Sequence, residues 1–135
     1  MMEDDQSFAA TARSLIDTIA ESWSAGKPDE FATTFHENAI FLETPFTAPI
    51  QGREAIRAWA SDIPYSQSAA RFTTGEAFVV GPWFSTEFKL VFRRRTTGQW
   101  VDARGALFAE TDGSLITELR MYWHRWNGGR ETSRT

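Results

Sequence analysis

The sequence predicts an α+β fold, a cone-shaped barrel in which three N-terminal helices pack on a curved, mainly antiparallel sheet. Apolar residues recur at helical spacing as far as Pro64, and beyond it they alternate with polar residues. Helices followed by a run of long strands are typical of α+β domains. At 135 residues the chain suits one domain, which we assign to residues 1–127, with residues 128–135 as a flexible tail.

Three segments have the periodicity and end signals of helices. Gly26 closes the first apolar stripe, Gly52 precedes the third, and Pro64 ends it. His36 falls at the predicted end of the second helix, where an imidazolium would favour the helix dipole. The predicted helices cover residues 5–25, 28–35 and 53–63, and a short strand is expected at residues 39–44.

Four long strands are predicted after Pro64, at residues 69–80, 83–95, 99–110 and 115–126. Their period of two assigns alternate side chains to the cone and to the outside. The side chains expected to face inward are Phe84, Thr86, Phe88, Leu90 and Phe92, then Val101, Ala103, Gly105, Leu107 and Ala109, then Leu119, Met121 and Trp123. Arg104, Tyr122, His124 and Trp126 are expected on the outer face, which we predict to form a homodimer contact.

Composition and charge exclude several classes of function. The net charge is −4 with a pI near 5.2, and the one basic cluster, residues 93–95, fits a solvated hairpin tip, so no nucleic-acid partner is expected. The chain has no cysteine, its two histidines lie far apart, and we expect neither a metal nor a cofactor. The acidic start lacks the apolar core of a secretion signal and no apolar run could span a membrane, so a cytoplasmic location is expected.

The aromatic content indicates a cavity for a small apolar molecule. Eleven Phe and six Trp residues in so short a chain either fill a core or line a cavity for an apolar ligand. Trp59, Phe88 and Trp123 fall on the inward faces of three different elements, and Tyr65 is a phenol within reach of a substrate. Phe41, Leu119 and Met121 are expected to complete the lining.

Glu43, in the stretch FLETPF at residues 41–46, is the candidate for catalysis. A carboxylate at the end of an apolar run either stays solvated or takes on a raised pKa in a dry pocket. In the first case it would hydrogen-bond to the backbone of the following loop. In the second it would be a general base.

Two segments resemble the SnoaL-like, nuclear transport factor 2-like superfamily. HENAIFLETPFTAPIQGREAIRAW at residues 36–59 is similar to the family's short strand, proline-containing loop and third helix. ETDGSLITELRMYWHRW at residues 110–126 is similar to its closing hairpin. The resemblance implies the cone-shaped fold, but it leaves the activity open, because the fold hosts isomerases, cyclases, dehydratases, epoxide hydrolases and non-enzymatic binders.

The first segment is most similar to ketosteroid isomerase, and the resemblance implies roles for single residues. The family's general base falls on Glu43, and a pocket-lining Trp falls on Trp123. The two oxyanion donors of that enzyme fall on Ile19 and on Gly105 or Arg104, none of which is a Tyr or an Asp. That difference argues against this particular isomerisation, since losing one donor costs about 3 kcal/mol of transition-state stabilisation.

Two hypotheses remain open from the sequence. The protein is either a cofactor-independent isomerase or cyclase, with Glu43 as base on an apolar carbonyl or polycyclic substrate, or a non-catalytic binding or dimerisation module. An epoxide hydrolase with an Asp-Arg-Asp set is not supported, because Ala106 and Met121 occupy the two carboxylate positions. His124 lies where a SnoaL-type cyclase would need an ionisable group, but its parity assigns it to the outer face.

Overall fold

The N-terminal helices pack on one face of a sheet, as their apolar stripes require. The computed structural model describes residues 2–126, with side chains from residue 8 onward. The predicted tail at residues 128–135 lies outside the described residues. The helices are α1 at Met2–Ala25, α2 at Pro28–Ala32, α3 at Arg53–Ser61 and a single turn, α4, at Ile63–Ser66.

The sheet has seven strands and is not closed into a full barrel. Its order is β2-β1-β7-β6-β5-β3, and β4 pairs with the first part of β5, on the same edge as β3. The pairing of β1 with β7 is parallel, and the other pairings are antiparallel. The strands are β1 at Phe35–Leu42, β2 at Ile50–Gln51, β3 at Gln67–Thr74, β4 at Phe78–Val80, β5 at Trp83–Arg94, β6 at Trp100–Thr111 and β7 at Ile116–Trp126.

The core lies between the helices and the inner face of the sheet. Ala12, Ile16 and Ile19 form the buried stripe of α1, and Trp23 at its end packs on Phe72 of β3 with ring centroids 5.1 Å apart. The alternation predicted for β5, β6 and β7 is confirmed, since the inward-facing residues are buried or half-buried. The predicted α+β class and the helices-on-sheet arrangement are therefore correct. No helix within residues 2–126 combines the length and apolar character of a membrane-spanning segment.

The boundaries near the second helix differ from the prediction. Helix α2 stops at Ala32, and β1 begins at Phe35 instead of residue 39. His36 therefore lies in a strand, where its Nδ1 accepts a hydrogen bond from the backbone N–H of Asn38 at 3.0 Å. The helix-dipole interpretation of His36 was wrong, because the chain joins the sheet after α2: the Ile116 N–H donates to the backbone oxygen of Thr34 at 2.9 Å, and Phe35 pairs with Ile116 of β7.

Two further elements were predicted imperfectly. The segment at residues 69–80 is two strands, because the chain leaves the sheet after Thr74 and rejoins β5 at Phe78. Pro64 does not simply end a helix, because it sits in the first turn of α4, where its missing N–H costs nothing.

Candidate functional site

A cavity of about 180 Å³ opens on the inner face of the sheet, near the end of α1. Its wall is mostly apolar, and carboxylate, amide and guanidinium groups are set into it. The lining residues are Trp23, Glu43, Ser66, Gln67, Phe88, Leu90, Phe92, Arg94, Val101, Ala103, Met121, Trp123 and Arg125. A concave, largely apolar site with a few polar groups is typical of small-molecule binding.

Glu43 enters this cavity because it directly follows β1. Phe41 is fully buried, so the period of two directs Glu43 to the same inner face. The next strand, β7, contributes Trp123, whose indole N–H donates to the backbone oxygen of Glu43 at 2.9 Å. This bond holds the end of β1 against the cavity wall.

The environment of Glu43 favours its neutral form. Burial raises the pKa of its carboxyl group above the ordinary value of 4.5, and a hydrogen bond from the indole of Trp59 offsets part of the increase. Trp59 is held from behind by Phe41, with ring centroids 4.9 Å apart, and by Trp23 at 5.5 Å. Glu43 is therefore a partly desolvated acid with one fixed donor.

The alternative of a carboxylate bonded to the following loop is not observed among the described residues. The hydrogen bonds of the Thr44 backbone are made within the loop. The Thr47 hydroxyl donates to the backbone oxygen of Thr44 at 3.1 Å and accepts from the backbone N–H of Thr44 at 3.3 Å. The loop backbone therefore has its own partners, and the carboxyl group of Glu43 turns to Trp59.

A second indole bond orients an amide in the cavity. The indole N–H of Trp23 donates to Oε1 of Gln67 at 3.1 Å. Because an indole can only donate, the amide oxygen must face Trp23. The NH₂ group of Gln67 has no protein acceptor in the described part of the chain, which leaves it available to a ligand.

The structure brings together four of the ten residues predicted for the site: Glu43, Phe88, Met121 and Trp123 line the cavity. Trp59 lies behind Glu43 as its hydrogen-bond donor. Ile19, Phe41 and Leu119 are almost fully buried in the core and do not line the cavity. Their periodicity was read correctly, but inward-facing residues here fill the hydrophobic core as well as the cavity.

Tyr65 and Gly105 were wrongly predicted as cavity residues. Tyr65 is 81% exposed, because the turn of α4 directs it to solvent. Gly105 has a packing role, since a Cβ atom there would lie 2.6 Å from Cα and 2.7 Å from Cβ of Trp123 on β7. Glycine is therefore needed for β6 to approach Trp123, and the residue does not reach the cavity.

Sequence reasoning missed two arginines, Arg94 and Arg125, which both line the cavity. The signal was present, because Arg94 continues the inward series of Phe88, Leu90 and Phe92, and Arg125 continues that of Met121 and Trp123. Only apolar residues had been counted as inward-facing. The basic cluster at residues 93–95 is therefore more than a solvated hairpin tip. Its two outer members make backbone contacts, since Arg93 donates to the backbone oxygen of Gly98 in the hairpin turn and Arg95 donates to that of Pro64.

Arg104 and His124 both lie on the outer face. Arg104 is exposed and makes two hydrogen bonds to the Asp102 carboxylate, at 3.0 and 2.9 Å. His124 is exposed directly opposite it on β7. Neither residue enters the cavity, and within the described part of the chain no three His, Asp or Glu side chains cluster as metal ligands would.

Comparisons with known proteins place this geometry in one family. A family model for the SnoaL-like domain matches residues 16–119, more than half of the chain. No curated protein sequence matches the chain significantly. Many solved structures share the fold, at sequence identities low enough that they support the fold alone.

Three of these structures illustrate the range. A hypothetical protein with a ketosteroid isomerase-like fold from Catenulispora acidiphila, in complex with trimethylamine, has a TM-score of 0.73 and 19% identity, covering 80% of this chain and 83% of its own. A candidate SnoaL-like polyketide cyclase from Jannaschia sp. CCS1 has a TM-score of 0.75 and 11% identity, covering 86% and 87%. A Mycobacterium tuberculosis protein in complex with estradiol-17β-hemisuccinate has a TM-score of 0.71 and 18% identity, covering 84% and 94%.

The resemblance seen in the sequence is thus confirmed at the level of the fold and the family. The family model begins within α1 and ends within β7, so it includes Glu43, the third helix and most of the sheet. The chain belongs to the SnoaL-like domain family.

Proposed function

We propose that the protein is a cofactor-independent enzyme of the isomerase or cyclase type, in which Glu43 moves a proton on a small apolar substrate that carries a carbonyl group. The observation that supports this most is the environment of Glu43. It is the one carboxylate among the described residues that lines the cavity, and burial raises its pKa. A base with a raised pKa abstracts protons from carbon more effectively than a solvated carboxylate does.

The reaction follows from the chemistry of that base. Glu43 takes a proton from the carbon next to the carbonyl, the electron pair of the C–H bond forms the C=C bond of an enolate, and the π pair of the carbonyl moves to its oxygen. Return of the proton from Glu43 to another carbon of a conjugated enolate gives an isomer. Attack of the enolate carbon on a second carbonyl closes a ring, and the resulting alkoxide takes the proton from Glu43. The polycyclic ligand of the Mycobacterium tuberculosis neighbour and the cyclase description of the Jannaschia neighbour support a ring-containing substrate.

The developing oxyanion needs a donor, and Gln67 is the available one. Ile19 and Gly105, at the positions where ketosteroid isomerase has its donors, carry no polar side-chain atom. Gln67 is fixed through its oxygen by Trp23, so its NH₂ group is free to donate to a carbonyl in the cavity. A preorganised donor of this kind is worth more in a water-poor site than in solvent.

Deuterium exchange tests the role of Glu43 without knowledge of the natural substrate. The probe is a bicyclic ketone, 1-tetralone, incubated with the protein in D₂O, and mass spectrometry follows deuterium incorporation next to the carbonyl. The wild-type protein should accelerate exchange over buffer. Glu43→Gln should lower the protein-catalysed rate by about 10²–10⁴-fold, because the base is removed, and should leave the affinity for the ketone nearly unchanged.

The matched control is Glu37→Gln, which makes the same substitution at an exposed position of β1. It should exchange the ketone at the wild-type rate. A Glu43→Gln protein as fast as wild type would reject Glu43 as the base.

The second candidate function is a non-catalytic pocket protein. The absence of a Tyr or Asp at the two oxyanion positions favours it. Binding of ring-containing ketones by the wild-type protein, with no exchange above buffer for any of them, would establish this alternative.

The protein is also proposed to form a homodimer through the outer face of the sheet. Phe108 and Tyr122 pack edge to face there, with ring centroids 5.7 Å apart, and are 41% and 43% exposed. Phe78, Val80 and Trp83 extend the same apolar surface around a groove. Contiguous apolar surface of this kind is typical of a protein–protein contact.

A further inference from the structure

The cavity has a basic side, formed by Arg94 and Arg125. These residues lie on β5 and β7, the two strands that flank β6, and β6 contributes only Val101 and Ala103 to the wall between them. Two strand spacings separate β5 from β7, and the register places Arg125 level with Leu90, four residues before Arg94. The two Cα atoms are therefore roughly 16 Å apart, a gap that two extended arginine side chains can span with a carboxylate between them. The two guanidinium groups thus flank one stretch of apolar wall.

Neither arginine is neutralised by the protein. Most arginines whose side chains the structure describes form ion pairs with Asp or Glu or donate to backbone oxygens, namely Arg13, Arg53, Arg57, Arg93, Arg95, Arg104 and Arg120; the exposed Arg71 of β3 does neither. Arg94 and Arg125 have neither kind of partner within the part of the chain that the structure describes. Arg94 is half-buried, with its guanidinium 6.0 Å from the ring centre of Phe92.

We propose that the natural ligand of the cavity is an organic carboxylate, whose carboxylate group binds to Arg94 and Arg125 and whose apolar rings lie against Phe88, Leu90 and Trp123. This inference rests on the proposed function only for the choice of this cavity as the site. It adds a substrate class, an aromatic or polycyclic acid, to a reaction type.

The chemistry of guanidinium groups supports a carboxylate over a neutral ligand. A guanidinium offers parallel N–H donors that match the two oxygens of a carboxylate. A half-buried cation next to apolar rings loses hydration, and an anionic partner restores the lost interaction.

The position of Glu43 is compatible with an anionic ligand. Glu43 follows β1, and β7 and β6 lie between β1 and β5, which carries Arg94. Three strand spacings amount to about 14 Å between β1 and Arg94. Arg125 is on β7, directly beside β1, but the pairing of Leu42 with Arg120 places it about four residues, or roughly 13 Å, further along the strand than Glu43. A carboxylate held between the two arginines therefore stays away from the carboxyl group of Glu43. One ligand can therefore place an acidic group on the basic side of the cavity and a reacting carbon near Glu43.

Matched pairs of acids and amides test the proposal on the full-length protein. The probes are phenylacetate, 1-naphthaleneacetate and 1-pyreneacetate, each with its neutral amide, so that ring size varies while the charged group is constant. The readout is the NMR signal of the indole N–H groups of Trp23 and Trp123, which both line the cavity. For at least one ring size the acid should bind about tenfold more tightly than its amide.

Arginine variants locate the source of that preference. Arg94→Gln and Arg125→Gln should each weaken binding of the acid by about fivefold to tenfold, while binding of the amide stays within about twofold of wild type. Arg71→Gln is the matched control. It makes the same change of net charge at an exposed site of β3, next to the buried Phe72, and should not alter either affinity.

Three results would overturn the proposal: equal affinity for acid and amide in every pair, an acid preference that persists in both cavity variants, or no indole shift with any acid at millimolar concentration. None of these depends on turnover. An arginine-dependent preference for acids, together with binding of ring-containing ketones that undergo no deuterium exchange, would support the carboxylate site and reject Glu43 as a base.

Discussion

Two carboxylates of this protein show how the surroundings of a residue set its acidity. Asp102 is buried on the outer face of β6, yet two hydrogen bonds from Arg104 hold the pKa of its carboxyl group below the ordinary value. The carboxyl group of Glu43 has one hydrogen bond, which comes from a neutral indole, and burial raises its pKa. A cationic partner thus lowers the pKa of Asp102, whereas Glu43, with only a neutral donor, keeps the upward shift that burial causes.

The raised pKa of Glu43 makes stability depend on pH in a defined direction. The folded protein binds the Glu43 proton more tightly than the unfolded chain does. The stabilisation from this group is therefore complete below the ordinary value of 4.5 and is lost as the pH rises through the raised folded-state pKa. Because glutamine stays neutral, Glu43→Gln should become more stable relative to wild type as the pH rises from about 4 to about 8, which urea unfolding at each pH measures.

The exposed Glu37→Gln is again the control for the loss of one negative charge. A constant difference in unfolding free energy between wild type and Glu43→Gln across that range would contradict the expectation. It would mean that the carboxyl group is as well solvated in the folded protein as in the unfolded chain.

At the scale of elements, the close approach of β6 and β7 depends on Gly105. This residue pairs with Trp123 in the ladder, and an added Cβ atom would meet the backbone of Tyr122 and Trp123 closer than van der Waals contact allows. Gly105→Ala should therefore lower the free energy of unfolding by about 1–3 kcal/mol or more, measured by urea denaturation. It should also shift the indole signal of Trp123, whose position on the cavity wall changes.

Gly75→Ala is the matched control, because a Cβ atom at Gly75 would lie 4.0 Å from its nearest neighbour, the backbone oxygen of Glu87, which is ordinary contact. It should leave stability within about 0.5 kcal/mol of wild type. Equal stability of the two alanine variants would show that the sheet accommodates a side chain at position 105.

The strands were the most predictable part of the fold. Side-chain direction in a strand follows from backbone geometry alone, so the inner faces of β5, β6 and β7 could be read from alternation. The start of β1 and the break between β3 and β4 could not, because they depend on how buried rings such as Phe31 and Phe35 pack across elements. Local sequence carries no signal for such packing.

The candidate site was predictable only in part. Glu43 could be found from its apolar context and from the resemblance of its segment to a known family. Its donor Trp59 was predicted as a wall residue, because the rotation of α3 relative to β1 is a tertiary property. Arg94 and Arg125 were within reach of the same alternation that identified their neighbours, and they were missed because charge was taken to mean solvent.

At the scale of the whole molecule, the dimer proposed through the outer face of the sheet makes a prediction about oligomeric state. Light scattering should give the mass of a dimer for the wild type and a monomer for Phe108→Glu, since a carboxylate in an apolar contact must give up its hydration when the subunits associate. The new carboxylate would face Arg120 of β7 in the isolated subunit, so the fold should tolerate it. Tyr65→Glu, at another exposed aromatic residue, is the control and should remain dimeric. A monomeric wild-type protein would reject the dimer.

The bond from Trp123 to the backbone of Glu43 joins residues 80 positions apart, across the parallel pairing of β1 with β7. Contacts of such large sequence separation form late in folding, because a long loop must close before they contribute. During synthesis the end of β1 leaves the ribosome well before β7 exists to pair with it. A nascent chain halted before β7 would lack Met121 and Trp123, so the wall of the cavity around Glu43 is completed only after the last described strand has been made and has folded back onto β1.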